Sequence, residues 1–195
     1  MELTDLGFPA SYCARELSQV PQGTVLHFSP PAPKSRSPSM LVWEPPPAPS
    51  IFVEVLARNG TRWLGEFSGL GGGLSGIFAT PNEDVICVVN RGEGYLVDTM
   101  HPDRYDLLPV VPVMLVRRVP SRNILFFVDH TRLCAFGKDG LLWVTKSVSW
   151  DGIKILEVTD RQIRGEGWDA PTDRWIPFSV DVESGHVDGG PDVPH

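Results

Sequence analysis

Two short segments hold the side chains that acid–base chemistry would need. Asp98, His101 and Asp103 lie within six residues of each other, and Asp129 is followed directly by His130. A histidine can act as a general base when a carboxylate orients its ring. Asp98, His101, Asp129 and His130 are therefore the candidate catalytic residues, for example of a hydrolase whose site is assembled from loops between strands.

Neither segment carries the remaining parts of a known site. No Gly-x-Ser-x-Gly motif marks an activated nucleophile, and neighbours such as Asp129 and His130 point apart in a strand, so the pair is more typical of a turn. Oxygen and nitrogen atoms from Asp98, His101 and Asp103 could hold a cation loosely, but their spacing matches no established metal loop. We expect no metal and no cofactor, and the missing parts favour a non-catalytic protein over an enzyme.

The glycine-rich segment from Gly69 to Gly76 has the composition of a phosphate-binding loop. Phosphate binding requires backbone N–H groups at the start of a helix. The segment lacks the Gly-Lys-Ser/Thr ending, and the Ile77-Phe78-Ala79 run that follows is typical of a strand. We predict a mobile loop between two strands, in a position that can border a binding site.

Two Trp-Asp pairs are the most distinctive local feature of the chain. In Trp150-Asp151 and Trp168-Asp169 the aspartate can close a turn by accepting backbone hydrogen bonds, and the tryptophan offers a large apolar surface. One interpretation is an aromatic cluster that stabilises a small sheet, which is the more common arrangement. The other is a binding surface, which requires two or more rings exposed together. The candidate binding residues are Trp150, Asp151, Trp168, Asp169 and Trp175.

Composition favours a globular β-protein. The 195 residues are 42% hydrophobic and 21% charged, which suits a single domain over 1–195, and 19 glycines with 19 prolines indicate many turns between short strands. The net charge is −7, and the longest basic runs are only two or three residues, so binding to nucleic acid is not expected. The acidity fits a basic protein partner.

Cysteine usage and the first residues bear on the compartment. Three cysteines without regular spacing argue against a disulfide framework, and Cys87 and Cys134 lie in apolar runs that predict burial. The acidic start, Met1 to Asp5, does not resemble a signal peptide, and no stretch approaches the ~18 apolar residues of a membrane span. We expect a cytoplasmic protein that does not interact with membranes.

A hairpin pattern recurs along the central part of the chain. An apolar run, a short polar turn and a second strand follow one another in four places: 51–67, 85–98, 124–136 and 153–167. Spacing of this size predicts a repeated supersecondary unit. The Asn59-Gly60 and Asp139-Gly140 dipeptides strengthen the prediction, because tight hairpin turns need residues that accept positive φ. We therefore expect a β-meander core over 51–188.

Two strands within this core can be placed more closely. The run Ile124–Val128 is apolar throughout, which predicts a central strand covered on both faces. Ile176, Phe178, Val180 and Val182 alternate with more polar residues, which predicts a half-buried strand. Pro177 lies within that strand, and because proline cannot donate to a ladder we expect an edge strand or a bulge there.

The terminal segments differ from the core. Residues 1–50 are rich in proline, and we predict a short helix over 10–19, two strands at Val25–Phe28 and Met40–Trp43, and polyproline-like connections at 30–33 and 45–49. Ser11 would cap the helix. Residues 189–195 are expected to form a flexible tail.

The stretch from Ile124 to Gly190 resembles the blades of a β-propeller. The segment Ile-Leu-Phe-Phe-Val-Asp-His-Thr-Arg-Leu-Cys-Ala-Phe, followed by Gly-Lys-Asp-Gly-Leu-Leu-Trp, is similar to quinoprotein-type repeats, and the Trp-Asp pairs are similar to those of WD repeats. A closed propeller needs at least ~4 blades of ~40 residues, for which the chain is barely long enough. We expect an all-β antiparallel meander of hairpins, arranged as a propeller-like open stack of sheets or a β-sandwich, with at most one short N-terminal helix. No functional residue is carried over.

These observations favour a non-catalytic β-domain that binds another protein or serves as an accessory module. One specific form is an acidic protein that neutralises a basic partner, as immunity-type proteins do. The alternative is the enzyme with a loop-assembled site. The sequence does not indicate an oligomeric state.

Overall fold

A computed structural model describes residues 1–31 and 48–194. These residues contain no α-helix, and therefore none that is long and apolar enough to cross a membrane. They form seventeen β-strands: β1 (Leu3–Thr4), β2 (Cys13–Leu17), β3 (Leu26–Phe28), β4 (Ala48–Leu56), β5 (Arg62–Gly69), β6 (Gly76–Ala79), β7 (Val85–Asn90), β8 (Glu93–Asp98), β9 (Tyr105–Leu107), β10 (Leu115–Arg118), β11 (Leu125–Val128), β12 (Leu133–Gly137), β13 (Gly140–Val144), β14 (Ile153–Val158), β15 (Gln162–Asp169), β16 (Arg174–Asp181) and β17 (Val187–Gly189). The predicted strand at Met40–Trp43 and most of the two proline clusters lie outside the described residues.

The strands form four sheets, each built around one of the four predicted hairpins. Sheet 1 has the order β2-β4-β5-β3, sheet 2 has β1-β6-β7-β8-β9, sheet 3 has β10-β11-β12-β13 and sheet 4 has β14-β15-β16-β17. Sheets 3 and 4 are simple antiparallel meanders. The predicted all-β class and the repeated unit are both confirmed.

The N-terminal strands complete sheets 1 and 2 by pairing over long distances. β1 pairs parallel with β6, and β3 pairs parallel with β5, whereas the other named pairs of strands are antiparallel. A hairpin can only produce an antiparallel pair, so these two strands must return from elsewhere in the chain. The local hairpin signals that predicted the rest of the fold do not apply to them.

The helix predicted over 10–19 is wrong. Residues Cys13–Leu17 are strand β2, which pairs antiparallel with β4 from Cys13 opposite Leu56 to Leu17 opposite Phe52. An isolated helix of ten residues is marginal in water, because its nucleation is costly and few hydrogen bonds offset that cost. Pairing with β4 supplies the same hydrogen bonds and buries Ala14 in the core, so the long-range contact decides.

The four sheets stack in chain order, with one hydrophobic cluster between each consecutive pair. The described residues contain three such clusters, and none of them joins sheet 4 to sheet 1. Representative members are Val53, Phe67, Ile86 and Tyr95 between sheets 1 and 2, Cys87, Leu96, Leu125 and Phe127 between sheets 2 and 3, and Phe126, Ala135, Ile163 and Phe178 between sheets 3 and 4. The described chain is thus a propeller-like open stack.

Strand β11 shows how the inner sheets are held. It lies between β10 and β12, and all four of its residues are buried, which confirms the predicted central strand. Leu125 and Phe127 pack towards sheet 2, and Phe126 and Val128 pack towards sheet 4. Alternate side chains of a strand point to opposite faces, so an uninterrupted apolar run fits a sheet covered on both sides.

The edge position predicted for Pro177 is wrong. Strand β16 lies between β15 and β17, and its register with β15 continues without a bulge through the pair Glu166–Pro177. The Pro177 carbonyl accepts a hydrogen bond from the Gly190 backbone nitrogen at 2.8 Å, so the proline nitrogen faces the same neighbour. β17 pairs only with residues 178–180, and the missing N–H therefore falls just beyond the ladder.

Candidate functional site

Asp98 and His101 are in contact, but the carboxylate is occupied by a turn. Asp98 Oδ1 accepts hydrogen bonds from the backbone nitrogens of Met100 at 2.9 Å and His101 at 3.1 Å, and Oδ2 lies 3.3 Å from His101 Nδ1. Burial raises the pKa of Asp98, but these hydrogen bonds outweigh it, so the pKa lies below its ordinary value. A carboxylate stabilised in this way is a weak base and serves to close the turn between β8 and β9.

Asp129 and His130 are not a pair. Asp129 is buried, and its Oδ1 accepts hydrogen bonds from the backbone nitrogens of Thr131 and Arg132, both at 2.6 Å. This closes the turn between β11 and β12, as the turn interpretation predicts. His130 instead places Nδ1 at 3.3 Å from Asp151 Oδ1, and both side chains are exposed. The contact links the end of sheet 3 to the segment before sheet 4.

The four candidate catalytic residues do not converge. Asp98 and His101 are at the end of β8 in sheet 2, whereas Asp129 and His130 are in the turn after β11 in sheet 3. A groove between sheets 2 and 3 is lined by Asp98 but by none of the other three. Within residues 1–31 and 48–194, no group of three or more His, Cys, Asp or Glu side chains is placed to hold a metal ion.

That groove lies between the ends of sheets 2 and 3 and has a volume of about 820 Å³. A hydrogen bond of 3.2 Å from Asn82 Nδ2 to the Lys138 carbonyl joins the two sides. Sheet 2 contributes β8, β9 and their connection, and sheet 3 contributes the hairpin between β12 and β13. The side chains that give the groove its character are apolar or charged: Val85, Leu96, Leu107, Phe136, Leu141, Asp98, Asp103, Asp106, Asp139, Arg104 and Lys138.

The segment Gly69–Gly76 connects β5 to β6, as predicted, but its second half is anchored by hydrogen bonds. The Leu74 nitrogen donates to the Val113 carbonyl, and the Leu74 carbonyl accepts from the Gly92 nitrogen, both at 2.8 Å. Ser75 Oγ accepts from the Arg91 nitrogen at 2.9 Å. These contacts argue against the predicted mobility, because they fix the backbone against two neighbouring turns. The segment precedes a strand, so it lacks the helix that a phosphate loop needs.

Three tryptophans lie at one end of sheet 4. Trp168 on β15 is directly opposite Trp175 on β16, with ring centroids 5.4 Å apart. Lys154 Nζ lies 3.6 Å from the centre of the Trp175 ring. Trp150 is 36% exposed, and its backbone nitrogen donates to the Trp168 carbonyl at 2.9 Å. Trp168 and Trp175 alternate with residues that face sheet 3, so their rings lie on the open face of the sheet.

The five tryptophans among residues 1–31 and 48–194 fall into two groups. Trp63 and Trp143 are buried, and each indole N–H donates to a backbone carbonyl, that of Thr99 at 3.0 Å and that of Val182 at 2.8 Å. A buried Trp usually finds such an acceptor. Trp150, Trp168 and Trp175 have no acceptor for the indole N–H among the described residues, and their rings are only partly covered.

The two aspartates that follow these tryptophans have different roles. Asp169 is buried and accepts a hydrogen bond from the Thr172 hydroxyl, which closes the turn between β15 and β16. Asp151 is largely exposed, and its contact in the described chain is with His130. Of the two, only Asp151 is available to a partner at this end of sheet 4.

An exposed apolar strand was not foreseen from the sequence. β13 is the last strand of sheet 3, and Leu141, Leu142 and Val144 are 53%, 48% and 36% exposed. The signal was present in the uncharged run Gly-Leu-Leu-Trp-Val, which directly follows a strong hairpin turn. A strand at the edge of a sheet normally carries a charge or a proline that discourages pairing.

Comparison with known proteins identifies no family. No protein-family model matches the chain, and no curated protein matches it significantly. Among solved structures it is similar to the crystal structure of the N-terminal domain of Nup159, with 15% sequence identity and a TM-score of 0.38. The match covers 71% of this chain and 38% of that chain, so this chain spans well under half of its length. So partial an overlap says nothing about function.

Proposed function

We propose that this chain is a non-catalytic β-domain that binds another protein through the open face of sheet 4, at the end where Trp150, Trp168 and Trp175 lie. The observation that carries the proposal is the pair Trp168–Trp175 on a sheet face that no other described sheet covers. Aromatic residues, and tryptophan above all, contribute most of the binding free energy at protein interfaces.

The surroundings of the pair suit a binding site. Lys154 lies over Trp175 and within 4.0 Å of Glu166, so a cation and a carboxylate border the rings. A rim of polar groups around an aromatic centre is the usual composition of such interfaces, because the rim excludes water from the central contacts. The net charge of −7 favours a basic partner, in the manner of an immunity-type protein. We further propose that residues 1–195 form one domain.

The experiment compares capture of a partner by three forms of the chain. The wild type, the double variant Trp150→Ala/Trp175→Ala and the control variant Leu156→Ala are tagged and used to isolate partners from the native host. Leu156 is 64% exposed on β14 of the same sheet, so the control removes a similar apolar contact outside the tryptophan cluster. The captured partner is then purified, and its Kd for each form is measured by calorimetry.

We expect the double variant to bind at least about tenfold more weakly and the control to bind like the wild type. If the partner is basic, the Kd also rises with ionic strength, because salt screens charge attraction. Equal binding by the double variant and the wild type would show that the partner uses another surface. Enzymatic turnover that depends on Asp98 or His130 would contradict the non-catalytic assignment.

A further inference from the structure

The groove between sheets 2 and 3 is bordered by Gly140 and Leu141, the start of an end strand of unusual composition. β13 ends sheet 3 and carries no titratable side chain. Every other described end strand of three or more residues carries at least one: these are β2, β3, β9, β10, β14 and β17. An edge without charge or proline leaves its backbone N–H and C=O groups open to pairing with another chain.

The side chains at the groove face each other across it. Leu141 is opposite Phe136 in the ladder, and Phe136 belongs to the cluster between sheets 2 and 3, so Leu141 lies on the face turned towards sheet 2. Asp106 on β9 is opposite Leu96, which belongs to the same cluster, so Asp106 lies on the face turned towards sheet 3. An apolar wall on sheet 3 therefore faces an acidic wall on sheet 2.

The charges of the groove are unbalanced. Its lining has four aspartates against one arginine and one lysine, a net charge of −2. Asp103, Asp106 and Asp139 form no ion pair with any residue in 1–31 or 48–194. Their carboxylates are exposed at the rim, whereas Leu96 and Phe136 are buried at the base. The groove thus offers an apolar floor below an acidic rim.

We propose that this groove binds an extended peptide segment with alternating apolar and basic side chains, which adds to β13 as a fifth strand of sheet 3. Strand addition satisfies the open backbone groups of the edge, and alternate side chains of the added strand point to opposite faces. The lysine or arginine side chains point towards sheet 2, where their aliphatic stems lie beside Leu141 and their charged ends reach the carboxylates of the rim. The apolar side chains point to the other face, beside Trp143, which is opposite Ala135 in the cluster between sheets 3 and 4. This site is separate from the tryptophan surface of sheet 4.

The test uses a fluorescein-labelled octapeptide of alternating valine and lysine, with binding measured by fluorescence anisotropy. Two peptides serve as controls: one alternates valine and glutamate, and the other keeps the valine–lysine sequence with alternate backbone nitrogens methylated. The methylated peptide retains charge and side chains but cannot complete the ladder. It tests strand addition on the unaltered chain, so the result does not depend on the folding of any variant.

Charge variants test the acidic rim of the groove. Asp106→Lys combined with Asp139→Lys reverses two rim charges, and Asp188→Lys reverses an exposed aspartate on β17, an end strand of sheet 4, as the matched control. We expect saturable binding of the valine–lysine peptide, at least about tenfold weaker binding by the double variant, and unchanged binding by the control. Hydrogen exchange should show slower exchange of β13 amides when the peptide is present.

Four results would overturn the proposal: no saturation up to about 1 mM peptide, equal binding of the glutamate peptide, equal binding of the methylated peptide, or a dimer in sedimentation that Leu142→Lys dissociates. The last result would assign the edge to a second copy of the chain. Trp150→Ala/Trp175→Ala should bind the peptide like the wild type, so a failure of the tryptophan surface and a failure of this groove are distinguishable.

Discussion

The first and fourth sheets both end the stack, yet they place their tryptophans on opposite faces. In sheet 1 Trp63 faces the core, buried beside Phe28 and Phe67, whose ring centroids are 4.4 Å apart. Phe52, which alternates with the core residue Val53, lies half-buried on the open face. In sheet 4 Trp168 and Trp175 lie on the open face, and the core face carries Phe178 and aliphatic residues. Because each end sheet has only one neighbour, the face on which a ring lies decides whether it stabilises the fold or remains available.

The open faces differ accordingly. On sheet 1 a chain of charges crosses three strands, with Glu54 placed 2.8 Å from Arg15 Nη2 and 3.2 Å from Arg62 Nη1. On sheet 4 the two inner strands, β15 and β16, carry the tryptophan pair on the open face. Exposed ion pairs contribute little to stability or to tight binding, whereas large aromatic faces contribute much to binding. The comparison therefore points to sheet 4 as the end of the stack that binds a partner.

The largest expected effect on stability comes from replacing Trp63, the buried tryptophan of sheet 1. Trp63→Ala removes a buried ring and its hydrogen bond to the Thr99 carbonyl, and we expect a loss of about 3–5 kcal/mol in the free energy of unfolding. Urea denaturation measures the loss. Trp63→Phe, which keeps most of the volume, should lose less. A cost below about 1 kcal/mol for Trp63→Ala would show that sheet 1 does not rely on its covered aromatics.

A second prediction concerns Gly167, the neighbour of Trp168 on β15 that faces sheet 3. A Cβ atom at Gly167 would overlap the carbonyl oxygen of Val148, which is backbone and cannot move aside cheaply. We expect Gly167→Ala to lower the free energy of unfolding by about 1–3 kcal/mol. Gly72→Ala is the matched control, because no atom lies within 4 Å of its added Cβ. Equal urea midpoints for the two variants would contradict the close approach.

Gly167 also explains why the tryptophan face could not be read from the sequence. On β15 the core-facing positions include Gly165 and Gly167, which are buried without contributing apolar side chains. In this part of β15 the large apolar side chain therefore belongs to the outward face and the glycines to the inward face. A prediction from hydrophobic alternation would place Trp168 inwards. The glycines are needed because the chain passes closely there, and that approach becomes evident only when the segment around Val148 is in place.

Elsewhere, a feature could be predicted when its contacting residues are close in the sequence and was missed when they are far apart. The hairpins were predicted because a turn such as Asn59-Gly60 and the strands beside it are close in sequence. The turn at Asp129 was foreseen for the same reason. Strand β2 was missed because its partner β4 lies some forty residues away. The contact of His130 with Asp151 likewise joins two segments whose proximity depends on the stacking of sheets 3 and 4.

A third prediction concerns the stability contributed by Trp175, a tryptophan on the open face of sheet 4. Trp175→Ala removes one cross-strand aromatic contact and the contact with Lys154, for which we expect a cost of about 1–2 kcal/mol in the free energy of unfolding. The same urea denaturation used for Trp63→Ala gives the comparison directly. A cost as large as that of Trp63→Ala would make Trp175 a core residue and would weaken the binding proposal.

The smallest expected effect compares two turns, one in each end sheet. Asn59 Oδ1 in sheet 1 accepts from the Thr61 nitrogen at 2.9 Å, and the Asp181 carboxylate in sheet 4 accepts from the Ser184 nitrogen and hydroxyl at 2.8 and 2.7 Å. The side-chain hydrogen bond from Ser184, followed by those from the backbone, holds the pKa of Asp181 below its ordinary value. Its contribution is therefore present above the unfolded pKa and is lost as pH falls through the folded pKa.

The neutral amide of Asn59 has no such dependence, so of these two turns only the one in sheet 4 should respond to pH. We expect Asp181→Asn to lower Tm by about 2 °C or less near pH 6, and this difference should shrink towards about pH 2, where the wild-type carboxylate is also neutral. Asn59→Asp should create the same response in sheet 1. Calorimetric scans across this range measure both. A difference that stays constant with pH would mean that the carboxylate charge at Asp181 does not stabilise its turn.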